Sequence, residues 1–217
     1  MQDYTGGIHE GNPVKQGRIG IRRIKLYVRT RYSFIKASDI YDNIGEEDER
    51  KRGFNMEEIF RAYFQSPIGL LEILATKQAI ISIGFCDSRD PERSCSVIRE
   101  CITQLDEYFS GERRDFQLEL APKGTEFRQK VWGALRKISY GETRSYQQIA
   151  ADIGNVKACR AVGDANRKNP IPIIIPCHRV VGKNGRLTGY NGGLWRKEWL
   201  LEHESKMVCK KISPVIK

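Results

Sequence analysis

Histidine is scarce in this chain of 217 residues: only His9, His178 and His203 occur. The six cysteines, Cys86, Cys95, Cys101, Cys159, Cys177 and Cys209, include no Cys-x-x-Cys pair. Together these shortages leave out a structural zinc site of ordinary spacing. No apolar run approaches the ~20 residues that span a bilayer. The N-terminus has no apolar signal-peptide core. We therefore expect reduced thiols and an intracellular, cytoplasmic protein with no membrane association. A glycine-rich dinucleotide loop is also missing, so no nucleotide cofactor is expected.

Positive charge is abundant. The formal net charge is +10, which favours polyanionic partners, nucleic acid first among them. A generally basic protein with no such role has the same charge, so charge alone decides nothing. Residues 1–55 hold 11 Lys/Arg and 8 Asp/Glu, leaving 26 and 19 in the remainder, still a net +7. That first segment has basic patches, the acidic run Glu46-Glu47-Asp48-Glu49, and little apolar periodicity. It reads as a disordered or over-extended stretch, with one short strand at Ile24–Val28 and Met56 as an alternative start.

From Met56 the pattern becomes that of a folded protein. Ile59–Phe64 and Leu70–Leu74 read as a hairpin around Ser66-Pro67-Ile68-Gly69. Ala79–Phe85 reads as a third strand. Ile98, Cys101, Ile102 and Leu105 make one helix face, extended by Tyr108 and Phe109 and ended by Gly111. Phe116, Leu118 and Leu120 alternate as a last strand, and Pro122-Lys123-Gly124 marks a linker.

Thr125 caps a helix through Leu135. Ser145 and Gln148 form a capping box opening a helix that ends at Gly154. A turn at Asn155 leads into Lys157–Arg167, so the pair reads as a helix-turn-helix. The second helix combines small residues (Ala158, Ala161, Gly163, Ala165) with Arg160, Arg167 and Lys168, a composition suited to close approach to a phosphate backbone. An ordinary surface helix with a packed alanine face is the alternative. Lys183-Asn184-Gly185-Arg186 signals a hairpin. Leu194–Glu204 reads as the last helix, with Trp195 and Trp199 in the core and a frayed basic tail over 208–217.

The chemistry concentrates in Ile171-Pro172-Ile173-Ile174-Ile175-Pro176-Cys177-His178-Arg179-Val180. The β-branched run bounded by prolines reads as a buried strand delivering Cys177 at its end. Free cysteine often packs as a small hydrophobe. The adjoining His178 and Arg179 favour thiolate instead, the nucleophilic form. His178 is the base candidate, through a bridging water if the two side chains point to opposite faces. His203 is a rival partner or a surface residue. A cysteine hydrolase also fits such a nucleophile, but no residue marks an acyl oxyanion hole.

Pro176-Cys177-His178-Arg179-Val180 resembles the active-site signature of the methylated-DNA–protein-cysteine methyltransferases, the O6-alkylguanine-DNA alkyltransferases. The likeness runs from about Met56 to about Ser205. It implies an α/β (α+β) fold: a small ribonuclease-H-like domain over 56–121, packed on a helical, winged-helix-like DNA-binding and catalytic domain over 122–207. It implies direct, irreversible, once-per-molecule transfer of the alkyl group of O6-methylguanine, and more weakly O4-methylthymine, to Cys177. It implies a monomer acting on double-stranded DNA with no metal and no cofactor.

Residue by residue, the resemblance makes Glu204 the carboxylate that orients His178, Tyr146 the proton donor to the leaving base, and Asn169 the brace of the active-site segment. It places the small-residue helix in the minor groove and makes Arg160 the side chain inserted where a base is flipped out. Ser145, Ala158, Cys159, Ala161 and Gly163 would join the DNA contact. Val180, Tyr190 and Asn191 would line the base pocket. Cys159 stands where alanine is common in the family, and Asn191 where serine or alanine is. Two other readings compete: a non-catalytic lesion binder, which would lack the reactive cysteine, and a helix-turn-helix regulator, which would need base-reading side chains on its second helix.

Overall fold

The structure is a computed structural model and describes residues 58–212. The expectations for residues 1–55, the Ile24–Val28 strand included, lie outside the described residues.

Three strands form an antiparallel sheet: β1 (Phe60–Ser66), β2 (Gly69–Ala75) and β3 (Ile80–Phe85), in that spatial order. The β1–β2 turn closes as its residues require. Ser66 Oγ donates to Gly69 O and accepts from Ile68 N, and Gly69 takes φ +119°, which L side chains rarely adopt. The register places Ala62 opposite Ile73 and Phe60 opposite Ala75, all four buried toward α1 (Ser96–Ser110). That helix buries Ile98, Cys101, Leu105 and Tyr108 and stops at Gly111 in the left-handed conformation.

Phe116–Leu120 differs from expectation. It is no strand, touching β3 through a single bridge, Ile80 to Leu120. Two backbone bonds make that bridge, from Ile80 N to Glu119 O and from Ala121 N to Ile80 O. Alternation sets the faces of an extended chain, but a ladder also needs a continuous partner edge. Further along β3, Ile83 N donates to Pro170 O at 2.8 Å. The sheet thereby anchors the start of the cysteine segment.

Helix α2 (Glu126–Leu135) begins at Thr125, whose hydroxyl accepts from Arg128 N. Trp132 on its buried face donates from Nε1 to Ala165 O at 2.9 Å. The short strand β4 (Arg144–Ser145) leads into α3 (Tyr146–Asp152), whose capping box is complete in both directions. Gly154, at φ +76°, turns the chain into α4 (Cys159–Arg167). Strand β5 (Val180–Val181) pairs parallel with β4.

Lys183–Arg186 makes a closed turn, with Gly182 N donating to Arg186 O, but no return strand follows, so it is not a hairpin. Helix α5 spans Leu194–Ile212. It runs well past Ser205, so residues 208–212, expected in a frayed tail, are helical, and the rest of that expectation lies outside the described residues. Its Trp195 is 53% exposed, against the core position expected. Helical spacing aligned it with Trp199, but only Trp199 packs on the core.

Candidate active site

The segment carrying Cys177 is a strained turn rather than a strand. Ile175 N donates back to Ile171 O at 2.9 Å, and Ile173 sits at φ +75°. A β-branched residue there is a backbone outlier that surrounding structure must hold in place. Asn169 holds it from both sides. Its Oδ1 accepts from Ile171 N at 3.0 Å and its Nδ2 donates to Ile175 O at 2.8 Å. The isoleucines are buried, so apolarity was read correctly and backbone geometry was not. Periodicity cannot separate a buried strand from a buried turn, and here the polar groups are satisfied by an asparagine instead of a neighbouring strand.

Cys177–Arg179 then forms a single 3-10 turn. Cys177 is 4% exposed. Asn166 Nδ2 donates to its carbonyl at 3.2 Å. Burial pushes the Cys177 thiol up to about 11, against the lowering influence of an Asn169 hydrogen bond and the Lys197 charge. The expectation that cationic neighbours hold a thiolate is therefore overturned. Arg179 spends its charge on Glu204, and His178 is neutral, so desolvation decides and the resting form is the thiol.

His178 is fully buried, with Nε2 2.8 Å from Glu204 Oε1. Its pKa is lowered, chiefly by burial, with Arg179 and Lys197 adding to that and Glu204 opposing it. Facing a carboxylate, Nε2 carries the proton, which makes Nδ1 the lone-pair nitrogen. That Nδ1 is buried and has no protein partner.

Glu204 is 0% exposed. Burial opposes its charge, but His178 and the Arg179 guanidinium hold its carboxyl well below the usual range. Arg179 reaches both oxygens, Nε to Oε2 and Nη2 to Oε1, each at 2.9 Å. Gly141 N donates to Oε2 at 3.0 Å, and Tyr108 OH donates to Oε1 at 2.8 Å.

His203 is not a rival for this role and is not a surface residue. It is buried, with Nε2 against Tyr108 O and its ring stacked on Trp199 at 5.0 Å. Lys197 is 0% exposed and donates to Val180 O and Thr188 O. Burial brings its pKa down to about 8, the Cys177 charge opposing. Among the described residues, no group of His, Cys, Asp and Glu could hold a metal ion.

An open cleft of about 320 Å³ is lined by Tyr146, Cys159, Arg160, Gly163, Arg167, Thr188 and Gly189, and Tyr146 is near enough to Cys177 to feel its charge. Arg160, Cys159 and Ala161 are exposed, while Ala158 packs partly on the core and Ala165 is buried. The small residues thus divide between two faces of α4. Ser145 is occupied as a cap, accepting from Gln148 N at 3.1 Å.

Tyr146 OH bonds to Thr188 O at 3.2 Å, and burial raises its pKa, so it keeps its proton. Val180 is buried. Tyr190 OH is enclosed without a protein partner, and burial, then the nearby Cys177, raises its pKa. Asn191 is exposed. Sequence reasoning missed the parts played by Tyr108, Asn166 and Lys197. The first was visible only as a member of an apolar helix face and the others as solvated helix residues.

Comparison with known proteins shows the family and the fold. A family model described as "6-O-methylguanine DNA methyltransferase, ribonuclease-like domain" matches residues 59–122. Another, "6-O-methylguanine DNA methyltransferase, DNA binding domain", matches residues 126–206. A methylated-DNA–protein-cysteine methyltransferase of Methanosarcina acetivorans is 47% identical over 153 residues, covering 67% of this chain and 98% of that protein. The crystal structure of Mycobacterium tuberculosis O6-methylguanine methyltransferase superposes with a TM-score of 0.65 at 40% identity, over 73% of this chain and 96% of that one. M. tuberculosis OGT in complex with DNA gives a TM-score of 0.63 at 44% identity, over 67% of this chain and 92% of that one. The two-part fold and the cysteine site define a DNA alkyltransferase. The chain belongs to the methylated-DNA–protein-cysteine methyltransferase family.

Proposed function

We propose that this protein repairs DNA by taking the methyl group of O6-methylguanine onto Cys177, and that His178 and Glu204 generate the nucleophile. The activity is direct alkyl transfer to a protein cysteine, and the partner is DNA. The observation that carries the residue assignment is the pairing of a buried thiol with a neighbouring buried imidazole. That imidazole has one nitrogen tied to Glu204 and the other free to accept a proton.

The thiol proton passes to His178 Nδ1, directly or over one water. The imidazolium is stabilised by the Glu204 carboxylate, as in a triad. Sulfur attacks the methyl carbon in line with the C–O6 bond. The C–S bond forms as the C–O bond breaks, and its electron pair moves onto the guanine. Tyr146, which retains its proton, supplies it to the leaving base, and the proton that His178 took from the thiol then restores the tyrosine by way of solvent, leaving both groups neutral. The product thioether has no acidic proton and no group nearby to reverse it, so each molecule acts once. Binding of the cleft to DNA and insertion of Arg160 would expose the flipped base to Val180, Tyr190 and Asn191.

The division into a scaffold over 56–121 and a catalytic part over 122–207 belongs to this reading. It is supported by α1 and the sheet packing behind the site. Action on DNA supports the cytoplasmic location expected above. Among the described residues no helix is long and apolar enough to cross a membrane.

The test is incubation with duplex DNA carrying a labelled methyl group on guanine O6. Label is expected on Cys177 of the natural chain, and none on Cys177→Ala, which should still bind the methylated duplex. Label on another cysteine of that variant would overturn the assignment.

A further inference from the structure

Glu204 Oε1 is crowded. It takes His178 Nε2 at 2.8 Å, Tyr108 OH at 2.8 Å and Arg179 Nη2 at 2.9 Å, with Arg179 Nε at 3.2 Å. A carboxylate oxygen has two lone pairs, so these donors compete for one limited supply of charge. Tyr108 is the outlier among them. It comes from α1, in the ribonuclease-like part of the chain, 96 residues from Glu204. It is 0% exposed, and its own carbonyl accepts from His203, the residue before Glu204 on α5. Its ring packs against Phe109, Phe116, Tyr140 and His203, so the hydroxyl has a defined direction.

We infer that Tyr108 is a positioning residue for alkyl transfer: its hydroxyl, delivered by the ribonuclease-like domain, draws charge from the Glu204 oxygen that faces His178 and so sets how strongly that imidazole holds a proton. A hydrogen bond from Tyr108 makes the carboxylate a weaker acceptor for His178, because a satisfied oxygen carries less free negative charge. The imidazole is therefore kept less basic, and it returns its proton once the thiolate has been consumed. Burial, with Glu204 beside it, raises the Tyr108 pKa well above its ordinary value, so it remains a donor throughout the working range.

The other groups around this centre do not replace it. Arg179 is fixed on both carboxylate oxygens and on Ile138 O. Lys197 points to Val180 O and Thr188 O, and His203 to Tyr108 O. Arg114 and Tyr140 face each other as a cation–π pair, and the Tyr140 hydroxyl has no protein partner. Cys177 is the thiol whose proton the imidazole receives. Gly141 N, the other neutral donor, is a backbone group on Oε2, so Tyr108 is the neutral side-chain donor whose removal changes Glu204 without removing a charge.

The inference rests on the proposed function, and its test separates the two. The His178 imidazole is titrated by NMR in the full chain, alongside the rate of methyl transfer from labelled duplex against pH. Tyr108→Phe should raise the His178 pKa by roughly half to one unit, equivalent to about 0.7–1.4 kcal/mol. The acid limb of the rate profile should move upward with it. Incorporation of 3-fluorotyrosine at position 108 keeps the ring and the hydroxyl but makes it a stronger donor, and should shift both in the opposite direction. This second variant also serves if Tyr108→Phe does not fold. Tyr140→Phe, an equally buried hydroxyl without a partner, should move neither. An unmoved His178 titration in the Tyr108 variants overturns the inference. A moved titration with an unmoved rate profile overturns His178 as the base instead.

Discussion

At the residue scale, protonation is the feature that governs Cys177. A buried thiol held up to about 11 is unreactive until its proton is taken, which restricts chemistry to the moment when substrate and imidazole are aligned. His178 does this in its neutral form, and burial lowers its pKa from the ordinary 6.5. The rate of transfer should therefore be flat through neutral pH and fall on acidification only below about 6.5, as pH passes through the depressed His178 value. A limb above 7 would contradict the neutral-imidazole assignment. The same direction bears on stability. The unfolded chain takes up this proton before the folded one does, so the His178 contribution is present above 6.5 and is lost as pH falls. Arg160 belongs to a different step. It is exposed on the cleft, and Arg160→Ala should slow transfer from duplex DNA far more than reaction with a free O6-alkylguanine base of small alkyl group. Equal losses on both substrates would assign it to folding or chemistry.

At the element scale, α5 and the 3-10 turn are joined by a buried ion pair that also serves the site. Arg179 and Glu204 are 6% and 0% exposed in their side chains. Glu204→Gln keeps the shape but leaves a buried guanidinium without its counter-charge. Breaking one side of such a pair costs about 3–5 kcal/mol. Denaturant unfolding should show a loss of that size together with loss of transfer. An unchanged midpoint with lost activity would mean that the pair serves chemistry alone. The strained turn before Cys177 is the second structural device of this scale. Asn169 satisfies the backbone that a strand partner would otherwise satisfy, and β3 anchors the turn through Pro170.

At the scale of the whole molecule, the site is assembled by both parts of the chain. The residues that surround the thiol and its base lie between Tyr108 and Glu204, and the net charge beyond residue 55 is +7. That charge can attract phosphate without residues 1–55, and the prediction is that they are dispensable. A chain beginning at Met56 should melt within about 2 °C of the full chain, less than the shift expected for 1 kcal/mol in a protein of this size. It should transfer methyl groups at a similar rate in physiological salt. Low salt is the condition where the removed charges would add nonspecific affinity. A clear drop in melting temperature or rate on truncation would refute dispensability.

The features legible in the sequence are those settled within a turn or two of chain. Thr125 and Ser145 cap their helices because the hydroxyl and the amide it accepts from are three residues apart. The α1 face is legible because four apolar residues recur at helical spacing, and the Pro-Cys-His-Arg-Val signature because it is contiguous. Glu204 was assigned through family resemblance, not through spacing. Tertiary structure decided what depends on partners far away in the chain. It made Phe116–Leu120 a bridge instead of a strand, and it bent Ile171–Pro176 into a turn that only Asn169 and the surrounding core can hold. It also set the charge of Cys177. The sequence shows a histidine and an arginine beside that thiol, but desolvation and the diversion of Arg179 to a carboxylate 25 residues away appear only when the chain is folded.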